Sequence, residues 1–253
     1  MEFLRYKRTL FLIVISILIL LYLALMLKQL LNKPKNSAQT KTQVEIKLPD
    51  PVFSSQTSIE EALKKRRSIR VYSSHSLTLQ QIAQLLWAAQ GITSSKRFRT
   101  IPSAGALYPL EIYLVTGEVK NLSPGVYRYV PIKHTLQKLR EGDLRIQLAK
   151  AAIGQDAVKS GAADIVITAL FSRTTKKYGD RGKRYVLMEA GHAAQNIYLQ
   201  TVSLNLATVS IGSFDDAYVK NILNITNEEE PLYILPIGEM YTSYTMSCQV
   251  FLS

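Results

Sequence analysis

Pro102-Ser103-Ala104-Gly105-Ala106-Leu107-Tyr108-Pro109 is the string that governs the reading of this chain. Four small residues in a row, Ser103 to Ala106, leave the backbone unshielded. Gly105 lets that backbone come close to a planar ligand, and Pro102 and Pro109 fix the flanks. Read without context, the same string is a Gly/Pro loop leading into an apolar strand at 110–116 (LEIYLVT).

Three more short motifs stand around it in fixed order: Arg66-Arg67-Ser68-Ile69-Arg70 before it, and Glu189 to Asn196 (EAGHAAQN) and Ile211 to Asp216 (IGSFDD) after it. If 66–70 is extended, alternate side chains share one side. Arg66, Ser68 and Arg70 then present two guanidinium forks and a hydroxyl to one anion, a match to phosphate that Lys does not give. The alternative is a solvated basic helix end that complements the helix dipole. Glu189, His192 and Asn196 recur at i, i+3 and i+7 and share a helix face. They read either as buried polar groups satisfying one another or, for His192, as part of a ligand site. His192 has no HExxH partner, so no metal is expected. Gly212 offers another backbone approach. Asp215 and Asp216 read as the N-cap and first-turn acid of a following helix.

In this order and spacing the four motifs resemble the FMN-dependent nitroreductases, and the eight-residue string is similar to their SagB/ThcOx-type dehydrogenase branch. The resemblance covers roughly residues 58–240. It implies an α+β fold, a nitroreductase-like mixed sheet flanked by helices with a long central helix. It also implies FMN, a homodimer with flavins at the interface, and NAD(P)H as electron donor. Carried over residue by residue, Arg66, Arg67, Ser68 and Arg70 would take the phosphate and ribityl chain. Pro102, Ser103, Ala104, Gly105, His192, Asn196, Ile211 and Gly212 would line the cofactor. Azoline-oxidising members of the branch have a Lys-Tyr pair that helps remove the substrate proton. Two basic-aromatic pairs occur here, Lys177-Tyr178 and Arg184-Tyr185. Arg184 and Tyr185 occupy the place before the central helix and are the expected catalytic residues, with Arg departing from Lys. A second departure is that no Lys or Arg follows Lys220. A third phosphate cation would come from Arg181, Lys183 or the partner subunit.

The rest of the chain frames these motifs. Ser58 to Glu61 and Thr78 to Gln81 are capping-box patterns, opening a short helix to about 65 and a longer one to Gln90, with Gly91 as its stop. Strands are expected at 110–116, 125–130 and 135–139, and a helix at 143–153. A buried strand at 164–171, a central helix over about 180–204, strands near 206–211 and 232–237 and a helix near 215–223 complete the domain. The elements lack a regular βαβ rhythm, which argues α+β.

Thr9 to Leu27 carries no charged residue. As a helix it would be about 28 Å long, near the thickness of a hydrocarbon core. Basic residues flank it on both sides, so a single-pass membrane location is expected with its orientation left open. A cleaved signal peptide is the other reading. The division is then an anchor at 1–31, a polar tether at 32–56, the FMN-binding domain at 57–240 and a tail at 241–253.

The net charge of +12 is split between the N-terminal fifth, with 8 Lys/Arg against 2 Asp/Glu in residues 1–49, and a scattered excess in the domain. Nucleic acid is therefore not an expected partner. One cysteine, Cys248, excludes an intrachain disulfide and disfavours a thiolate metal site. A Ser103/His192/Asp215 hydrolase lacks the GxSxG elbow, and neither a P-loop nor GxGxxG occurs. Two readings remain open beside the oxidoreductase. One is an azoline-type peptide dehydrogenase of a modifying complex; the other is a flavin-binding module without turnover. The substrate, small molecule or peptide, is not legible.

Overall fold

The computed structural model describes residues 45–241 continuously, together with 16, 18–26 and 28. The chain divides into two compact units, residues 1–42 and 43–253. In the first, residues 16, 18–26 and 28 are helical. Among the described residues no helix is long and apolar enough to cross a membrane. This corrects the expected single-pass membrane location. Residues 9–15, 17 and 27 of the expected span lie outside the described residues, as do residues 242–253.

The second unit is an α+β fold built on one seven-stranded sheet. In chain order its elements are β1 (Glu45–Lys47), α1 (Ile59–Lys65), α2 (Leu79–Gln90), a 3-10 turn (Ala104–Ala106), β2 (Leu110–Thr116), β3 (Gly125–Val130), β4 (Thr135–Glu141), α3 (Arg145–Ala151), α4 (Asp156–Ser160), β5 (Ala163–Ala169), α5 (Ser172–Tyr178), α6 (Arg181–Ser203), β6 (Leu206–Thr208), α7 (Asp216–Leu223) and β7 (Glu230–Glu239). The strand order is β1-β4-β3-β2-β5-β7-β6. All six neighbouring pairs are antiparallel; a single parallel bridge joins Leu77 to Val119.

Both faces of the sheet are covered, which is why β2 and β5 read as largely apolar runs rather than alternating ones. Ile112, Leu114, Ile165 and Ile167 point into one core with α2 and α6. Tyr113, Val115 and Val166 point into a second core with α3, α4 and α7. The long helix α6 is therefore central: Val186, Ala190, Ala193, Ala194 and Ile197 are buried against the sheet.

Local chemistry explains most boundaries. Ser58 accepts from the Glu61 N–H, and Thr78 with Gln81 closes a reciprocal capping box. Asp215 caps α7 by accepting from the Tyr218 N–H at 2.8 Å. Gly91 ends α2 in extended backbone, with φ −63°. Glycine is required there by space, because a Cβ would lie 2.1 Å from Trp87 Cδ1. The stretch expected to be one helix from 180 is preceded by α5. The two are separated at Gly179, whose φ of +56° is a left-handed value that glycine adopts freely. Within the stretch expected to be a tether, β1 pairs with β4, and Val52 exchanges both backbone hydrogen bonds with the Gln84 amide at 2.8 and 2.9 Å.

One buried group runs against stability. Asp164 on β5 is fully buried, and neither carboxyl oxygen has a hydrogen-bond partner. Burial pushes its carboxyl well above the ordinary carboxylate range, with Arg145 pulling the other way and Asp143 adding to the rise. A raised folded-state value means that stability is lost as pH rises through it. Asp164→Asn, which has no charged form to desolvate, is therefore expected to stabilise the fold near neutral pH, although its amide still lacks a partner. The gain should shrink in acid. Urea unfolding at about pH 5 and about pH 8 checks both parts.

Candidate functional site

The expected site residues gather in two places along α6. The first cluster forms at the C-terminal half of the helix. Arg66 leaves α1 in extended backbone, with φ −53° and ψ 122°, and residues 66–70 run across Tyr198. The Ser68 hydroxyl lies 2.9 Å from the Tyr198 hydroxyl, and the Arg66 guanidinium stands 5.3 Å from the Tyr198 ring centroid. The Tyr198 oxygen also accepts from the Ser210 N–H at 2.7 Å. The segment is pinned below by Ile69 N–H donating to the Thr208 carbonyl at 2.9 Å. Tyr198 thus ties the 66–70 segment to the strand end that carries Ile211 and Gly212.

Within this cluster the side chains differ in availability. Neither Arg66 nor Arg70 forms a salt bridge among the described residues. Arg67 is spent on the helix end, donating from Nη1 to the Lys64 and Arg66 carbonyls at 3.0 and 2.8 Å. Ile211 is buried and exchanges two backbone bonds with Ile234. Gly212 is exposed, and a Cβ there would meet nothing within 4 Å.

The second cluster forms at the N-terminal half of α6, around the 102–109 loop. Gly105 has φ +64°, and a Cβ there would lie 2.8 Å from the Tyr178 hydroxyl and 3.0 Å from Lys177 Nζ. The Lys177-Tyr178 pair at the end of α5 therefore rests directly on the glycine. Tyr185 stands behind it, its ring edge-on to Tyr178 at 5.3 Å between centroids. Arg184 is exposed on α6. Pro102 is exposed and Ser103 and Ala104 half-buried. The Ser103 hydroxyl accepts from the Tyr108 N–H at 2.9 Å. Arg173 braces the loop from α5, donating to the Tyr108 carbonyl at 3.0 Å and pairing with Glu111 at 2.6 Å.

Two expected residues stand apart from both clusters. Asn196 donates from Nδ2 to the Ala88 and Thr100 carbonyls at 3.1 and 3.3 Å, so it braces α6 against the end of α2. It also lines an open groove of about 660 Å³ with Phe53, Trp87 and Gln200. His192 is exposed on α6. Among the cations expected to supplement the phosphate set, Lys183 pairs with Asp180 at 3.1 Å and Arg181 is exposed. Among the described residues no group of His, Cys, Asp and Glu is placed to hold a metal ion.

Sequence reasoning had no signal for Tyr198 and Ser210, which read as ordinary helix-face and strand-end residues. Lys177-Tyr178, the other basic-aromatic pair, lies seven residues upstream of Arg184-Tyr185.

Fold and site define an α+β oxidoreductase of the nitroreductase type. The chain belongs to the nitroreductase family, whose model matches residues 63–239. A nitroreductase-type protein of Methanocaldococcus jannaschii is 44% identical over 195 residues, covering 77% of this chain and 96% of that protein. The microcin B17-processing protein McbC of Escherichia coli is 29% identical over 149 residues, or 56% of this chain. Those residues span about half of McbC, 54% of its length. Among solved structures, a nitroreductase-type protein of Ralstonia eutropha superposes with a TM-score of 0.70 at 29% identity, covering 80% of this chain and 92% of that one.

Proposed function

We propose that this chain is an FMN-dependent oxidoreductase that works as a homodimer, each flavin held by one cluster from each copy. The observation that carries the reading is the placement of the two clusters on α6. Tyr185 and Tyr198 are 13 positions apart, about 20 Å along a helix, and Gly191 and His192 lie midway. Exposed residues lie between them: Leu187 is 54% exposed and Met188 53%. A Cβ on Gly191 would meet nothing within 4 Å, so a second backbone can approach there. A two-fold axis beside Gly191 brings the Tyr185 end of one copy to the Tyr198 end of the other.

The residues fit the group. Arg66 and Arg70, unpaired, and Ser68 would hold the phosphate by charge-assisted bonds. Gly212, with open space above it, and the small residues 103–105 would admit the ring. FMN, when bound, supplies hydride exchange at its N5 atom. The chain supplies binding, orientation and the proton. Tyr178 Oη and Lys177 Nζ stand at the Gly105 surface, where no side chain intervenes. Lys177 is exposed; covered by a bound flavin and substrate, a Lys can serve as a base, whereas a guanidinium stays protonated. We therefore assign proton handling to Lys177 and Tyr178, with Tyr185 supporting the Tyr178 ring.

The similarity to McbC favours a second substrate class, a peptide processed by dehydrogenation, beside a small molecule reduced at the expense of NAD(P)H. The visible spectrum of the purified protein separates them. A flavin spectrum that bleaches under anaerobic NAD(P)H is the expected result for a nicotinamide-driven reductase. A flavin spectrum that persists points to a substrate-oxidising dehydrogenase or a flavin module without turnover. A folded colourless protein that does not take up added FMN overturns the proposal.

A further inference from the structure

Arg173 belongs to the helix that carries Lys177 and Tyr178, and it ties that helix to two other parts of the fold. Its guanidinium works as a fork. Nη1 donates to the Tyr108 carbonyl at 3.0 Å, and Nη2 donates to Glu111 Oε1 at 2.6 Å. Glu111 is 8% exposed, and its second oxygen accepts from Arg128 Nε of β3 at 3.1 Å. It stands on β2, which is paired along its whole length by β5 and over residues 113–116 by β3. The carboxylate is thus a fixed point on the sheet, held by a cation at each oxygen.

Both elements that the fork joins need an outside hold. In the loop, Gly105, Ala106 and Tyr108 have φ values of +64°, +55° and +46°. For a bulky residue such as Tyr a positive φ is a true outlier, and it persists only where the surroundings impose it. The Tyr108 N–H donates to Ser103 Oγ at 2.9 Å, a bond within the loop itself. The Tyr108 carbonyl is held from outside, by Arg173. The helix α5 has only seven residues and no side-chain bond at its N-cap, and so short a helix does not stand without tertiary contacts. Arg173 and Lys177 are four positions apart and share its face, with Tyr178 next in the chain. Lys177 Nζ and the Tyr178 hydroxyl lie 3.0 and 2.8 Å from where a Cβ on Gly105 would stand.

We propose that Arg173 and Glu111 are positioning residues: together they clamp the Tyr108 carbonyl and α5 to the sheet, and so set the separation between the Gly105 backbone and the Lys177-Tyr178 pair. Arginine suits the task because its donors stand at a fixed spacing, whereas an ammonium is a single point. Two bonds to groups on different elements define a position, where one bond would leave a hinge. The clamp itself is geometry and needs no flavin. That this spacing governs proton transfer rests on the proposed function.

The test uses the full chain and two readouts. Amide hydrogen exchange, read by mass on a peptide spanning 102–109, reports opening of the loop. Turnover of NAD(P)H with menadione as acceptor, together with the flavin content, reports the chemistry. Arg173→Met keeps an unbranched stem and removes both bonds. It is expected to raise loop opening about tenfold or more, the loss of a charge-assisted hydrogen bond, while peptides of β2 and β5 exchange as in the wild type. In the same variant kcat should fall about 10²-fold, the effect of a misplacement of about 1 Å, with KM for menadione and flavin retention little changed. A residue that only stabilised the fold would not separate kcat from KM. Arg173→Lys keeps the charge without the fork and should recover little; it carries the same comparison should Arg173→Met not fold. Glu111→Gln should loosen the loop less, because its amide oxygen still accepts. Added to Arg173→Met it should change nothing further, since Glu111 acts through Arg173, whereas independent contributions would add. Wild-type exchange in Arg173→Met overturns the clamp, and so do losses that add in the double variant. A loosened loop in protein that takes up no FMN would sink the flavin reading and leave the clamp standing. A flavinated, active Arg173→Met enzyme with a closed loop would do the reverse.

Discussion

Replacing Arg66 and Arg70 together by Ala is expected to leave the protein folded and unable to retain FMN through gel filtration. Hydrogen bonds to charged groups contribute roughly 1.5–3 kcal/mol each, so losing both guanidinium groups should weaken binding about 10²- to 10⁴-fold. The fold should tolerate the change, because neither side chain is held in a salt bridge. Arg67→Ala is the control within the same motif. Its Nη1 already serves two backbone carbonyls at the end of α1, so retention should change little. The flavin-to-protein ratio, read from the visible and near-ultraviolet absorbance, decides the matter. A double variant that purifies fully flavinated would remove the phosphate assignment.

Tyr178→Phe and Lys177→Ala are expected to keep their flavin and lose turnover. A positioned acid or base contributes typically about 10²- to 10⁴-fold, and a loss in that range is expected for the group that moves the proton. Both side chains rest on Gly105, so the effect should fall on the rate of the chemical step rather than on flavin affinity. Lys177→Arg should not restore activity, since a guanidinium is a poor base. Tyr185→Phe should cost far less, because its edge-on contact with Tyr178 uses the ring and not the hydroxyl. Stopped-flow reduction and reoxidation of the bound flavin measure these rates separately from binding. Equal losses for Tyr185→Phe and Tyr178→Phe would move the proton to the Arg184-Tyr185 pair.

The sequence by itself determined the local elements and the family. Capping boxes at Ser58 and Thr78, the N-cap at Asp215 and the apolar runs of β2 and β5 act over three or four residues, or over one strand. Short-range chemistry of that kind is written in order along the chain. The spacing of Arg66, Ser68 and Arg70 was legible for the same reason, since extended backbone puts alternate side chains on one side. Only the tertiary structure decided which of these groups meet. Ser68 finds Tyr198 across 130 positions. Gly105 meets Lys177 and Tyr178 because α5 ends against the loop, whereas Arg184 lies exposed within α6. Asn196, which shares a helical face with Glu189 and His192, turns out to brace Ala88 and Thr100. Glu111 looks like any strand glutamate until Arg128 and Arg173 close on it from β3 and α5. Such pairings depend on how whole helices pack against the sheet, and that packing is set by the summed burial of two cores rather than by any short stretch of residues.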